Sequence, residues 1–401
     1  MNILYLCDEY PPGPHGGIGT AVRLLAREMA KQGHQVIVAG LYSLGYGGQN
    51  EFIDEGVKVY RFRMGWDSKW FADEQSIIAR IGKRMLKDTG LMERDIKRSL
   101  SVYHVKLEQL IAEHRIDLIE MPDYNDYVRF CTSFVPFLQL PVPVIVKLHG
   151  SLTYFMREAN RKVASHIFAM EKTILTQATA VSAVSQYTAQ KSTGYFNYPK
   201  LIQILYNGIN TDVSIAVQPK NPQQVIFTGT LTEKKGIYQL AKAWNIVHRR
   251  MPDARLLIFG KGDSRKVISH LNENARNTVS FMGHVPVDKL YNYLAESSIS
   301  IFPSYAEAFA LAPLEAMICG TAVINSNRTS GSELIDDQQN GVLINPDHIE
   351  QIASAILYLL NNPDACAKLA KNGFQKVKDN FAISRIAAQN LDFYNRVLGN
   401  T

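Results

Sequence analysis

Cysteine is scarce and scattered. Four occur in 401 residues, Cys7, Cys131, Cys319 and Cys366, and no C-x-x-C spacing joins any two. A disulfide framework is therefore not expected, and a reducing, cytoplasmic setting is. Cys7 and Cys319 lie in apolar contexts and read as core thiols. Long hydrophobic runs are missing too. The longest apolar stretch, residues 135–148, is interrupted by three prolines and is too short to span a bilayer. The opening MNILYLCDEY has no basic segment ahead of an apolar one, so no signal peptide is expected. An excess of charge of one sign is nearly absent: 43 basic against 37 acidic residues leave +6. Nucleic-acid binding would call for a concentrated basic stripe on a recognisable module, and none is found. A mild excess suits anionic small molecules and an anionic membrane surface equally. Apolar material is plentiful: hydrophobic residues make up 46% against 20% charged, which excludes a disordered chain, a collagen and a heptad rod. The length suits two domains of about 200 residues each.

Short β-branched and aromatic runs recur between helical patterns. In the first half they are NILYLC (2–7), QVIVAG (35–40), VKVYRF (57–62), DLIEM (117–121), PVIVKLH (143–149) and AVSAVS (180–185). Most are continuously apolar, as strands of a parallel sheet covered on both faces must be. Helical patterns over 19–32 and 160–176 lie between them. The alternation restarts with QVIFTG (224–229), ARLLIFG (254–260), VSFMG (279–283), SISIFPS (298–304), TAVINS (321–326) and GVLINP (341–346). The sequence thus predicts an α/β protein of two doubly wound parallel-sheet domains, 1–213 and 214–382, joined in the polar stretch 210–223. A crevice between two such domains is a natural ligand site. Residues 74–114 read as a helical insertion in which Arg80, Lys83, Arg84, Lys87, Arg94, Lys97 and Arg98 alternate with apolar side chains. A solvated helix face packed on the first sheet is the first reading, contact with anionic lipid the second.

Several loops could carry chemistry. Gly16, Gly17 and Gly19 crowd a helix start, where backbone N–H groups can approach an anion. Gly17-x-Gly19-x-x-Val22 lacks the third small residue of a dinucleotide fingerprint, and no acidic residue follows the second strand to hold a ribose, so NAD is not expected. The turn alone favours neither an anion site nor a plain N-cap. His149, at the end of a strand and before Gly150, could donate a hydrogen bond or merely cap a turn. Lys235, at a helix start beside Gly236, could meet a phosphate, whereas Lys234 reads as an exposed loop lysine. The richest stretch is SYAEAFALAPLEAMICG. Pro313 fits the first helical position, which puts Glu315 in the first turn, with Glu307 in the loop ahead. The small residues Ala308, Ala310 and Ala312 would let the amides near Phe309, Ala310 and Leu311 approach a ligand. Glu315 could accept hydrogen bonds from sugar hydroxyls or simply favour the helix dipole.

The order of these motifs resembles the family-4 glycosyltransferases. PPGPHGGIGT looks like their glycine loop, NGIN (207–210) like their segment at the domain joint, and GTLTEKKG like their G-R-L…K-G loop. FGKGD, FMGHVP, GSELI and NGVLINP also fit, and Glu307-x7-Glu315 followed by Ala316-Met317 is the most specific match. The resemblance covers nearly the whole chain. It implies the two-domain GT-B fold, a C-terminal helix (383–401) that packs back on the first domain, with Phe381 onward packing partly on the first sheet, and a retaining transfer from a nucleotide sugar. By the same resemblance, Gly16 and Gly17 would bring amides to donor phosphates or acceptor, and His149 would contact the donor sugar. Lys235 would neutralise the diphosphate, Glu307 would bind sugar hydroxyls beside the amides of Phe309–Leu311, and Glu315 would bind the ribose. Backbone near His284 and Val285 would meet the base. Thr230 stands where the family has an arginine, and Ala308 and Ala310 where it often has glycine.

The resemblance implies a nucleotide-diphosphate sugar as co-substrate, a hydroxyl acceptor (glycan, lipid-linked glycan or small molecule), no resident cofactor and no nucleic acid. Strict D-x-D, the metal motif of the other main glycosyltransferase fold, is absent from the chain, so no metal is expected and Lys235, loop amides and a helix dipole would offset leaving-group charge. Two other readings use the same donor: a GT-B nucleotide-sugar epimerase, and a non-catalytic nucleotide-sugar-binding module.

Overall fold

The computed structural model describes residues 1–42, 46–64, 81–82, 84–86, 89–213 and 219–399. Arg80, Lys83 and Lys87 of the basic segment lie outside them. The first elements are β1 (Asn2–Leu6), α1 (Gly17–Lys31), β2 (Gln35–Tyr42), β3 (Glu51–Asp54), β4 (Val57–Arg63), α2 (Leu91–His114), β5 (Leu118–Pro122), β6 (Val144–Leu148), α3 (Leu152–Glu158), α4 (Ser165–Gln177), β7 (Ala180–Ala183), α5 (Gln186–Phe196) and β8 (Gln203–Ile204). There follow β9 (Asn221–Thr228), α6 (Ile237–Arg250), β10 (Arg255–Phe259), α7 (Ser264–Ile268), α8 (Glu273–Arg276), β11 (Val279–Gly283), α9 (Val287–Glu296), β12 (Ser297–Phe302), α10 (Leu311–Ile318), β13 (Ala322–Ser326), α11 (Gly331–Leu334), β14 (Val342–Ile344), α12 (Ile349–Asn361), α13 (Pro363–Asn380) and α14 (Ile383–Gly399).

Two units result. One comprises Met1–Gly208 with Ile383–Thr401, the other Ile209–Ala382. The first sheet runs β3-β4-β2-β1-β5-β6-β7-β8 and the second β11-β10-β9-β12-β13-β14. All pairings are parallel except β3 with β4. Strand order reverses between β1 and β5 in the first sheet and between β9 and β12 in the second. At such switch points the loops leaving adjacent strands diverge to opposite faces and leave a crevice at the carboxyl ends.

Strand alternation divides the first core. Leu4 and Leu6 join one cluster with Met92, Ile96, Leu100 and Leu107 of α2. Ile3 and Tyr5 join the other with Val22, Leu25 and Met29 of α1 and Ala387, Phe393 and Tyr394 of α14. The helix over 91–114 thus packs one face on the first sheet. Its Ile96 is in the core, Lys97 pairs with Glu93 at 2.9 Å, and exposed apolar side chains remain at its Leu91, Val102 and Val105 and, ahead of it, at Ile81 and Met85. The second core gathers on Val225, Phe227, Leu256, Ile299, Ile301 and Trp244. All four cysteines are buried, and none is in a disulfide. Among the described residues no helix is long and apolar enough to cross a membrane.

Three sequence expectations change. The helix expected over 160–176 begins at Ser165, because Asn160 adopts φ 53° and turns the chain. Pro313 is not the first helical residue. Leu311 is, so Pro313 stands third, still among the amides with no intrahelical acceptor, and Glu315 falls in the second turn. Phe381, expected to pack with the returning helix, belongs to the second unit, its ring centroid 6.0 Å from that of Phe309.

Candidate functional site

In the second unit the two most informative loops meet at the switch point. One leaves β9 and runs through Gly229 to a short 3-10 turn, Glu233–Lys235, before α6. The other leaves β12 and runs from Pro303 to α10. Gly236, at φ 68°, lets them touch: a Cβ there would lie 1.8 Å from the Pro303 carbonyl oxygen. The Tyr305 N–H donates to the Lys234 carbonyl at 2.8 Å, stitching the loops together. Across the neighbouring strands, the Gly229 N–H donates to Phe259 O, and the Gly260 N–H to Gly283 O.

This arrangement brings Lys235 and Glu307 into direct contact, the Lys235 ammonium donating to the Glu307 carboxylate. Burial pushes the Glu307 carboxyl up, but Lys235, Lys234 and a Ser304 hydrogen bond outweigh it, so the net shift is downward. Lys234 is exposed along much of its length, as expected for a loop lysine. Its ammonium is nonetheless held down to about 8, by desolvation first, with Lys235 acting in the same direction and Glu307 against. Lys234 is therefore part of the charge cluster, a role its loop position concealed. Glu315 behaves in the opposite way. Burial alone raises its carboxyl to about 7. Ala308 and Phe309 are buried, and Ala310 precedes the first turn of α10 at φ −87°. Thr230 is exposed on the β9 loop. His284, exposed, and Val285, partly covered, follow β11, two strand spacings or about 10 Å from β9.

In the first unit Gly16 is the N-cap of α1 and Gly17 its first residue, both exposed. The turn has an internal partner that the glycine spacing does not reveal: the Gly19 N–H donates to Glu9 Oε1 at 2.7 Å. A Cβ on Gly19 would come within 2.1 Å of the Glu9 carbonyl oxygen, so glycine is required there. An acidic residue ten positions ahead of the third glycine was the available signal.

His149 follows β6 and lines a small cavity with Glu120, Lys147, Asn207, Val22 and Ile386. Its N–H donates to Asp123 Oδ1 at 2.7 Å, which ties the turn after β6 to the end of β5. Burial first, and Lys147 second, press the imidazole down to about 3, so it is neutral at physiological pH and can both donate and accept. Lys147 was also missed. Its ammonium donates to Asn390 Oδ1 of α14 at 2.9 Å and lies 3.9 Å from Glu120. Tyr394 of α14 donates to the other Glu120 oxygen at 2.7 Å. A lysine inside the apolar run VIVKL was the sign of such a buried partner.

Comparison with known proteins follows the same two-part division. The family described as Glycosyltransferase Family 4 matches residues 15–213, and that described as Glycosyl transferases group 1 matches residues 209–376. A glycogen synthase of Mycobacterium tuberculosis is 24% identical over 98% of this chain and 94% of its own. Among solved structures, a sucrose-phosphate synthase from Thermosynechococcus elongatus shares the fold over the full length of both chains, with TM-score 0.77 and 20% identity. HepE of Anabaena, solved in complex with UDP and glucose, does so over 99% of this chain and 100% of its own, with TM-score 0.67 and 17% identity.

Proposed function

We propose that this chain, which belongs to the family-4, group 1 glycosyltransferases, moves a sugar from a nucleoside diphosphate to an acceptor hydroxyl with retention of configuration and without a divalent metal. The observation that carries the reading is the cluster of Lys235, Lys234 and Glu307 at the β9/β12 switch point, with Glu315 one helical turn beyond. That relatives of this fold are solved with UDP and glucose supports the donor class.

In the free protein Lys235 is paired with Glu307. A donor diphosphate offers the ammonium a more highly charged partner, so Lys235 exchanges one anion for another. The freed Glu307 carboxylate, kept ionised by its neighbours, is then an acceptor for sugar hydroxyls. Lys234 and the N-terminal amides of α10 add positive potential where charge develops on the departing phosphate. Glu315 is assigned to the ribose hydroxyls, and the backbone near His284 and Val285 to the base. From the first unit, neutral His149 is assigned to the reacting sugar, and Gly16 and Gly17 to the phosphate or acceptor. No carboxylate is assigned as a nucleophile; the leaving phosphate takes the acceptor's proton as the new bond forms on the same face. Glycan, glycolipid or other glycoconjugate synthesis is the setting that fits a hydroxyl acceptor.

The test is incubation with a panel of nucleotide sugars and hydroxyl acceptors, with and without EDTA, the product's anomeric configuration being read by NMR. A retained anomer formed equally in both conditions is expected. Inversion, or loss of product with EDTA, overturns the corresponding part of the proposal. An isomerised donor, or binding without turnover, overturns transfer itself.

A further inference from the structure

Three cations gather within six residues at the end of α3: Arg157, Arg161 and Lys162. Asn160, at φ 53°, reverses the chain there, and the Arg161 N–H donates back to Met156 O at 2.8 Å. The turn borders an open, solvent-facing cavity of about 680 Å³, lined by these cations together with Asn160, Phe168 and Tyr195. No carboxylate lines it. Glu158, the acid in the middle of the run, is engaged elsewhere. It accepts from Tyr187 at 2.5 Å and from Tyr195, and lies 3.4 Å from Lys191. Among the described residues none of the three cations is in an ion pair.

Arg157 is also held in place. Its guanidinium lies 5.6 Å from the Phe168 ring centroid and 5.5 Å from that of Tyr195, and Glu158 fixes the Tyr195 hydroxyl. A guanidinium on two aromatic faces keeps its N–H rim available for a planar or tetrahedral anion. A stable fold gains nothing by collecting three unneutralised cations around a hollow, since like charges repel. They match a doubly charged group better than a carboxylate.

The cavity's place along the chain relates it to the reaction. α3 starts three residues after His149 and spans about 10 Å, so the cavity lies at the far end of the helix that leaves the turn bearing His149, a separation of about two sugar rings. We infer that the acceptor carries a phosphate and that Arg157, Arg161 and Lys162 hold it. The inference rests on the reading of the chain as a glycosyltransferase whose acceptor binds the first unit. The phosphate can be that of a soluble sugar phosphate or of a lipid-borne sugar diphosphate, since both present the same group to these cations.

Calorimetric titration of the full chain with glucose 6-phosphate, farnesyl diphosphate, glucuronate and glucose tests this, in native protein and in R161Q/K162Q. Both substitutions are at exposed side chains, and an unchanged thermal midpoint confirms the fold. At least one phosphorylated probe is expected to bind, glucose and glucuronate much more weakly. The double variant is expected to weaken that probe by about tenfold or more while leaving UDP affinity unchanged. Preference for farnesyl diphosphate assigns a lipid-borne acceptor, and preference for glucose 6-phosphate a soluble one. Equal binding of glucose and its phosphate, or of native and variant protein, overturns the inference. So does binding only to vesicles of anionic phospholipid. The two readings fail separately. Phosphate binding lost in the variant, with no nucleotide sugar ever turned over, removes the enzyme and keeps the site. Transfer at undiminished rate by the variant removes the site and keeps the enzyme.

Discussion

Glu307 and Glu315 stand eight residues apart and are pushed in opposite directions, one down by two lysines, the other up to about 7 by burial. For Glu315 the consequence has a definite sign. Between its ordinary value of 4.5 and about 7 the unfolded chain has released a proton that the folded chain retains, so stability falls as pH rises across that window. Glu315→Gln has no such proton. Its thermal midpoint relative to the native protein should therefore climb from pH 4.5 to 7 and level off above, as scanning calorimetry would show. If ionised Glu315 holds the ribose, donor affinity in the native protein should strengthen as pH rises through 7, and the variant should lose that slope. Lys235 is argued differently, since it is to act where charge develops. Lys235→Ala should lower kcat by about 100-fold or more with a smaller change in donor affinity, measured by steady-state kinetics beside equilibrium titration. Equal losses in both would mean that the ammonium binds the donor without favouring its departure.

Loops and helix ends position these groups, and glycine sets their limits. Gly236→Ala would place a methyl 1.8 Å from the Pro303 oxygen at a positive φ. The β9 and β12 loops would have to separate, at a cost of about 1–3 kcal/mol. A lower urea midpoint together with weaker donor binding is expected, because the same separation parts Lys235 from Glu307. At the other sheet, α14 is fastened by polar contacts as well as apolar ones. Asn390→Leu would leave the Lys147 ammonium buried without its amide acceptor. A loss of about 1–3 kcal/mol is expected on denaturant titration. Because Lys147 also bears on His149, NMR of the His149 ring offers a second readout of the same change.

At the scale of the molecule, the first unit is discontinuous in sequence. Ile383, Ala387, Phe393, Tyr394 and Val397 of α14 complete a cluster begun by Ile3, Tyr5, Val22 and Leu25. Residues 1–208 alone should therefore be unfolded or aggregated by circular dichroism, whereas 209–382, whose core closes on itself, should melt cooperatively. Much of this architecture could be read before any coordinates. Twelve apolar runs, six in each half, marked the parallel strands, because a strand covered on both faces must be apolar throughout, and E-x7-E, the Lys-Gly loop and the glycine turn survive in linear order. The edge strands β3 and β8 escaped notice, the first being four residues long and exposed on alternate positions and the second only two residues long. So did the start of α10, where a proline at the third position imitates one at the first. What one dimension could not carry was proximity. That Lys235 pairs with Glu307, that Glu9 caps the glycine turn, that Lys147 is met by a helix 243 residues away, and that three arginine and lysine side chains border a hollow depend on how strands are ordered and chains turned. Burial and neighbouring charge, which set what a carboxylate or an ammonium will do, come into existence only when those distant segments pack.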